Sequence, residues 1–281
     1  MYVSMKEILV KAQEGGYGVT APNVFSEDTV RAVIEAAEEY ESPMIIDFGM
    51  MGPPEKLVSG TRLIEDLARS AKVPICLNQD HGPTYESAIW CIRAGFTSIM
   101  ADRSMLPYED NVAQVAELVK VAHAVGVTVE AELGHVGFAG EPEGTAQLTD
   151  PEMAADFVAK TGIDCLAVAI GTAHGQYKEP PKLDFPRLEA IRKAVSVPLV
   201  LHGGSSTGDE QLARACREGI CKVNLATDLI KAGEKNIVDS GFPNPPHIPG
   251  KYYSVTGTFV EGYKNMLVHY MKLFGQVGKA W

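Results

Sequence analysis

Eight short apolar runs recur along the chain, each separated from the next by a stretch with helical periodicity. The runs occupy residues 17–24, 43–49, 73–81, 97–104, 127–134, 165–171, 197–204 and 221–228. Helical patterns fill 26–40, 55–71, 84–94, 108–125, 150–161, 186–195, 208–218 and 228–239. Strand and helix alternating in this way describe βα units around a parallel sheet, because parallel strands need a crossover between them. Eight units in 281 residues predict an α/β fold, a (β/α)8 TIM barrel, with the whole of 1–281 as a single domain. A doubly wound open sheet is the alternative.

Local signals support these boundaries. Ser26, Thr84 and Asp150-Pro151 stand where helices should start, and Gly95, Gly126, Gly162 and Gly219 where they should stop. An extra N-terminal helix is expected in "MYVSMKEILVKAQEGG" and an extra C-terminal helix near 257–274. The Pro- and Gly-rich stretch 240–254 reads as a loop.

A net charge of -11 argues against nucleic acid or an anionic membrane surface as partner, while leaving room for a local basic pocket. The five cysteines, Cys76, Cys91, Cys165, Cys216 and Cys221, are scattered without a CxxC pair. That usage predicts reduced thiols in a cytoplasmic protein. The first residues do not read as a signal peptide, and no run approaches the ~18 apolar residues of a membrane span.

A barrel gathers its strand C-termini on one rim, so polar residues at those ends are site candidates. Here they include Asn23, Asp47, Asp80, His81, Asp102, Glu130, Glu132, His202, Ser205, Asn224, Thr227 and Asp228, with His174 just beyond the sixth run. Three of the runs end in His-Gly, at His81, His174 and His202. Each histidine alone is most simply a polar or packing residue. Three neutral imidazoles converging with one position open are a catalytic zinc arrangement, although cobalt or iron also suits such ligands. His123, His247 and His269 fall in a helix, a Pro-rich loop and the last helix, where solvated or packing roles are expected; His135 follows the fifth run.

Asp80 directly precedes His81, and strand alternation would send the two side chains to opposite faces. Both reach one site only if the strand has ended by then. An aspartate beside a metal suits acid/base work on a hydroxyl, or else it orients a histidine. "HGGSS" (202–206) and "NLATD" (224–228) offer glycine amides, hydroxyls and a helix N-terminus after the seventh and eighth runs, where barrels hold phosphate, with Lys178 to add charge. The glycine-rich loop 134–146 carries Glu141 and Glu143 as candidate bases on a movable lid.

"DHG", "VEAELG", "LAVAIGTAHG", "PLVLHGGSS" and "KVNLATDL" together resemble the class II, zinc-dependent ketose-bisphosphate aldolases. The resemblance implies a dimeric or tetrameric barrel in which Zn2+ polarises a phosphorylated ketose and stabilises the enediolate of dihydroxyacetone phosphate. It implies His81, His174 and His202 as metal ligands, and Asp80 as the group exchanging a proton with the C4 hydroxyl. Asp102 and Glu132 become acidic support near the metal, and Asn23 a substrate contact. Gly175, Lys178, Gly203, Ser205, Asn224 and Thr227 become the 1-phosphate site, and Glu141, or else Glu143, the C3 base.

Residues expected to touch the other half of the substrate depart from the family pattern at Asn78, Gln79, Arg103, Phe138 and Ala226, and "KYYSVTG" lacks an arginine. The expected substrate is therefore a ketose 1-phosphate or 1,6-bisphosphate. A metal-free phosphosugar isomerase or epimerase using Asp80 and Glu132, and a non-catalytic phospholigand-binding protein, are the competing classes.

Overall fold

The computed structural model describes residues 1–48, 54–138, 147–175, 177, 181–241 and 251–281. The chain opens with α1 (Met5–Gly15), then alternates β1 (Val19–Pro22), α2 (Glu27–Glu39), β2 (Met44–Phe48), α3 (Pro54–Ser70) and β3 (Ile75–Gly82). It continues through α4 (Tyr85–Ala94), β4 (Ser98–Ala101), α5 (Tyr108–Ala124), β5 (Thr128–Leu133), α6 (Pro151–Thr161) and β6 (Cys165–Val168). The last elements are α7 (Phe185–Ala194), β7 (Leu199–Leu201), α8 (Asp209–Glu218), β8 (Ile220–Leu225), α9 (Thr227–Asp239) and α10 (Lys251–Phe274).

All eight strands are parallel, in the order β1-β8-β7-β6-β5-β4-β3-β2. The two ends of that ladder meet through a bridge between Asn23 and Asp47 and a bond from the Val24 amide to the Asp47 carbonyl at 3.1 Å. The sheet thus closes into the expected (β/α)8 barrel with helices outside it.

The capping signals act as their chemistry predicts. The Ser26 and Thr84 hydroxyls accept from the amides three residues on, and Asp150 accepts from Glu152 and Met153 with Pro151 opening the helix. Gly95 and Gly162 end α4 and α6 at φ of 107° and 71°, a left-handed turn that a side chain would resist.

Several boundaries differ from expectation. α10 begins at Lys251, so residues 251–254 of the stretch read as a loop are helical; these four carry neither proline nor glycine. β6 and β7 are shorter than their apolar runs, because 169–171 and 202–204 already turn over the rim.

Alternation along the strands sorts the interior. Ile46, Leu77, Ile99, Val129, Leu166, Leu201 and Val223 face the surrounding helices in one apolar layer. Inside the barrel the lower level is also apolar, with Val19, Ala21, Ile45, Cys76, Met100, Cys165 and Val200 packed on Met5, Ile8, Leu9 and Ala12 of α1. The upper level is polar and equally buried: Asp47, Asn78, Asp80, Glu130, Glu132, His202, Lys222 and Asn224. Stabilising burial and polar chemistry are therefore separated along the barrel axis. All five cysteines are buried and unpaired, and among the described residues no helix is long and apolar enough to cross a membrane.

Candidate active site

A cavity of about 450 Å³ opens at the C-terminal mouth of the barrel. Asn23, Asp80, His81, Asp102, His174, Gly175, His202, Gly203, Ser205, Asn224 and Thr227 all line it, whereas the rim candidates Asp47, Glu130 and Asp228 do not. Glu132 stands directly behind, while Glu141 and Lys178 lie outside the described residues.

His81 enters by an irregularity. Cys76, Asn78 and Asp80 share the inward parity of β3, so His81 should point at the helices. The strand does not end before it, contrary to the expectation; it runs to Gly82 with a register shift between Gln79 and Gly82, and His81 takes a φ of 48°. This bulge turns His81 back toward the cavity beside Asp80. Gly82 permits it, because a Cβ there would sit 2.6 Å from the Met100 carbonyl oxygen.

The three imidazoles pack edge to face, with ring centres 4.5 to 5.8 Å apart. His81 Nδ1 donates to Asp102 Oδ2 at 2.8 Å, and Asp102 Oδ1 is itself held by the Ser104 amide and hydroxyl. His202 Nε2 donates to Glu130 Oε1 at 2.7 Å. His81 Nε2, His174 Nε2 and His202 Nδ1 are buried and have no hydrogen-bond partner. One nitrogen from each ring lies within 4.8 Å of the others.

Electrostatics separate their charge states. Burial pushes His174 down to about 4 and His202 well below its ordinary value, so both are neutral near pH 7. Burial also opposes charge on His81, but the Asp80 and Asp102 carboxylates outweigh it and raise the ring to about 9. Asp80 is held below its usual range despite burial, by His81, His202 and Lys222. Its oxygens are fixed by two amides, Asn23 Nδ2 at 2.8 Å and Asn224 Nδ2 at 3.0 Å. Burial, with Asp102 nearby, lifts Glu132 to about 8.

Across the cavity, Gly203 and Gly175 bend the chain at φ of 67° and 91°. Ser205 Oγ accepts from the Asp228 amide at 3.2 Å at the start of α9, where the N-cap residue Ala226 has no side-chain oxygen to do so. Asp228 in turn accepts from the Ser206 amide and hydroxyl and from Tyr270. The glycine turns and the positive end of the α9 dipole here suit an anion.

A family model described as fructose-bisphosphate aldolase class-II matches residues 3–279. The chain belongs to this family. The aldolase, a lyase, is 40% identical to a fructose-bisphosphate aldolase of Thermus caldophilus, with all of both chains covered. It is 38% identical to one of Geobacillus stearothermophilus, covering 99% of this chain and 98% of that one. Among solved structures it resembles the YdjI aldolase of Escherichia coli K12, with a TM-score of 0.87, 33% identity and full coverage of both chains. A putative fructose-1,6-biphosphate aldolase of Coccidioides immitis gives 0.84 at 28% identity, covering 97% of this chain and 96% of that one.

The family is generally metal-dependent, and the residues of the aldolase fit a metal: three buried imidazole nitrogens without hydrogen-bond partners lie close enough together that they could hold one ion. Asn224 lines the cavity but gives its amide to Asp47 and Asp80. His135 also lines the cavity, 3.1 Å from Ser104 Oγ, while His123 pairs with Asp164 and His269 with Asp209.

Sequence reasoning missed Lys222, which is fully buried against Glu130 in the aldolase. A lysine inside an apolar strand, two residues before Asn224 and on its face, was the available signal.

Proposed function

We propose that the protein reversibly cleaves a ketose 1-phosphate or 1,6-bisphosphate to dihydroxyacetone phosphate and an aldehyde. The observation that carries this reading is the meeting of three unpartnered imidazole nitrogens beside the doubly anchored carboxylate of Asp80. His81, His174 and His202 hold one divalent ion, taken as Zn2+. When bound, it supplies Lewis-acid polarisation of the substrate carbonyl.

Asp80 takes the proton of the C4 hydroxyl as the C3–C4 bond breaks, and the bonding pair moves to C3. The Asn23 and Asn224 amides hold its two oxygens in place, so the base does not reorganise during transfer. C3 then takes a proton from Glu141 of the 139–146 segment, which lies outside the described residues. Gly175, Lys178, Gly203, Ser205, Asn224 and Thr227 bind the 1-phosphate, with the α9 N-terminus directed at it. Asp102 and Glu132 support His81 and the ion from behind.

The partner is thus a phosphorylated sugar rather than nucleic acid or membrane, and the enzyme works in the cytoplasm as a homodimer or homotetramer. The deciding experiment is a screen of metal-loaded protein against ketose 1-phosphates and 1,6-bisphosphates, detecting dihydroxyacetone phosphate. Turnover without triose phosphate release would leave an isomerase or epimerase, and tight binding without C3 proton exchange a binding protein.

A further inference from the structure

Lys222 lies fully buried in β8, two residues below Asn224. A lone ammonium in a dry interior is strongly disfavoured, so its partners define what it does there. Its Nζ donates to Glu130 Oε2 at 2.8 Å and stands 3.8 Å from Asp47 Oδ1. Each carboxylate uses its other oxygen on a different half of the site. Glu130 Oε1 accepts the Nε2–H of His202 at 2.7 Å, while Asp47 Oδ2 accepts from Asn224, whose amide also reaches Asp80 Oδ1 at 3.0 Å.

The geometry points to Lys222 as a positioning residue that sets His202 and Asp80 together, a role that rests on reading His202 as a metal ligand and Asp80 as the base. A carboxylate only accepts, so Glu130 fixes Nε2 as the protonated nitrogen of His202. Nδ1 is left as the free acceptor, 4.0 Å from Asp80 Oδ1. Lys222 holds the carboxylate that makes this choice, and through Asp47 it holds the amide that orients the base.

Fold maintenance alone does not call for an ammonium at this level. The interior level below is filled by Ile45, Cys76, Met100, Cys165 and Val200, and a buried ion pair is commonly replaceable by apolar residues without loss.

The test compares the full-length wild type, Lys222→Met and the double variant Lys222→Met/Glu130→Gln, each loaded with Zn2+ or Co2+. In Lys222→Met the zinc dissociation constant, read by chelator competition, rises about 10- to 100-fold. The d–d spectrum of the cobalt form changes, and kcat falls at least about tenfold while KM for the ketose phosphate stays within about threefold. The double variant removes the charge of Glu130, the nearer of the two carboxylates that Lys222 faces; its Tm recovers toward wild type while the zinc and kcat defects persist.

Either variant folding with wild-type zinc affinity, cobalt spectrum and kcat overturns the inference. A double variant that fails to fold also overturns it, since Lys222 is then a requirement of the fold. A wild type that binds no zinc and cleaves no ketose phosphate defeats the active-site reading itself, which is a separate result.

Discussion

Asp80 and His81 are consecutive in β3, yet both side chains face the same cavity, with Asp80 Oδ1 3.9 Å from His81 Nε2. A regular strand forbids this, and the bulge at Gln79–Gly82 with a positive φ at His81 allows it. A carboxylate and an imidazole thereby reach one cavity from one strand end.

The bulge depends on Gly82, where a Cβ would also meet the Gln79 carboxamide at 2.8 Å. Gly82→Ala is expected to displace His81, weakening zinc binding by about tenfold or more while the barrel stays folded. Isothermal titration of zinc together with a thermal melt checks this. Wild-type zinc affinity in the variant means that the bulge does not set the ligand.

Asp80→Asn keeps the shape of the side chain and removes its capacity to take a proton. Cleavage should fall about 10²- to 10⁴-fold in kcat with zinc stoichiometry unchanged. A kcat within tenfold of wild type, measured by dihydroxyacetone phosphate release, removes Asp80 from the base role.

Stripping the metal should abolish cleavage and lower Tm, since the buried nitrogens of His81, His174 and His202 then have no partner. Zinc at about a thousand times its dissociation constant restores roughly 4 kcal/mol of stability. The measurement is a melt with and without chelator, followed by back-titration of zinc. Full activity in the stripped protein is the result that sinks metal dependence.

At the other end of the barrel, Asp164 accepts from the Val129 amide, His123 and Lys6. Burial works against its charge, but these bonds and cations outweigh it and hold the carboxyl below its ordinary value of 3.8. A depressed carboxyl stabilises the fold above its unfolded value and loses that contribution as pH falls through the folded one. Asp164→Asn should cost about 1–3 kcal/mol near pH 7. Denaturant melts should show the gap from wild type closing only below pH 3.8; a gap independent of pH refutes the charge-based account.

Periodicity and punctuation determined much of this protein by themselves. The alternation of apolar runs with capped helical stretches fixes eight βα units, because period-two and period-3.6 burial are local properties of the chain. That count leaves a closed barrel or an open doubly wound sheet; the Asn23–Asp47 bridge closes the barrel, and with it comes the rim on which His174, His202, Asn23 and Thr227 meet.

Only the tertiary structure decided which side chains of the rim serve one another. Asn224, a phosphate contact by resemblance, also bridges Asp47 and Asp80, and Lys222, which opens "KVNLATDL" with no role read for it, compensates carboxylates from two other strands. Those pairings join residues up to 177 positions apart. No sequence period encodes them, because they depend on strand register, on closure and on the low dielectric of a buried interior. His81 shows the same division: the sequence places it beside Asp80, and a single bulge in the folded strand decides that the two share a cavity.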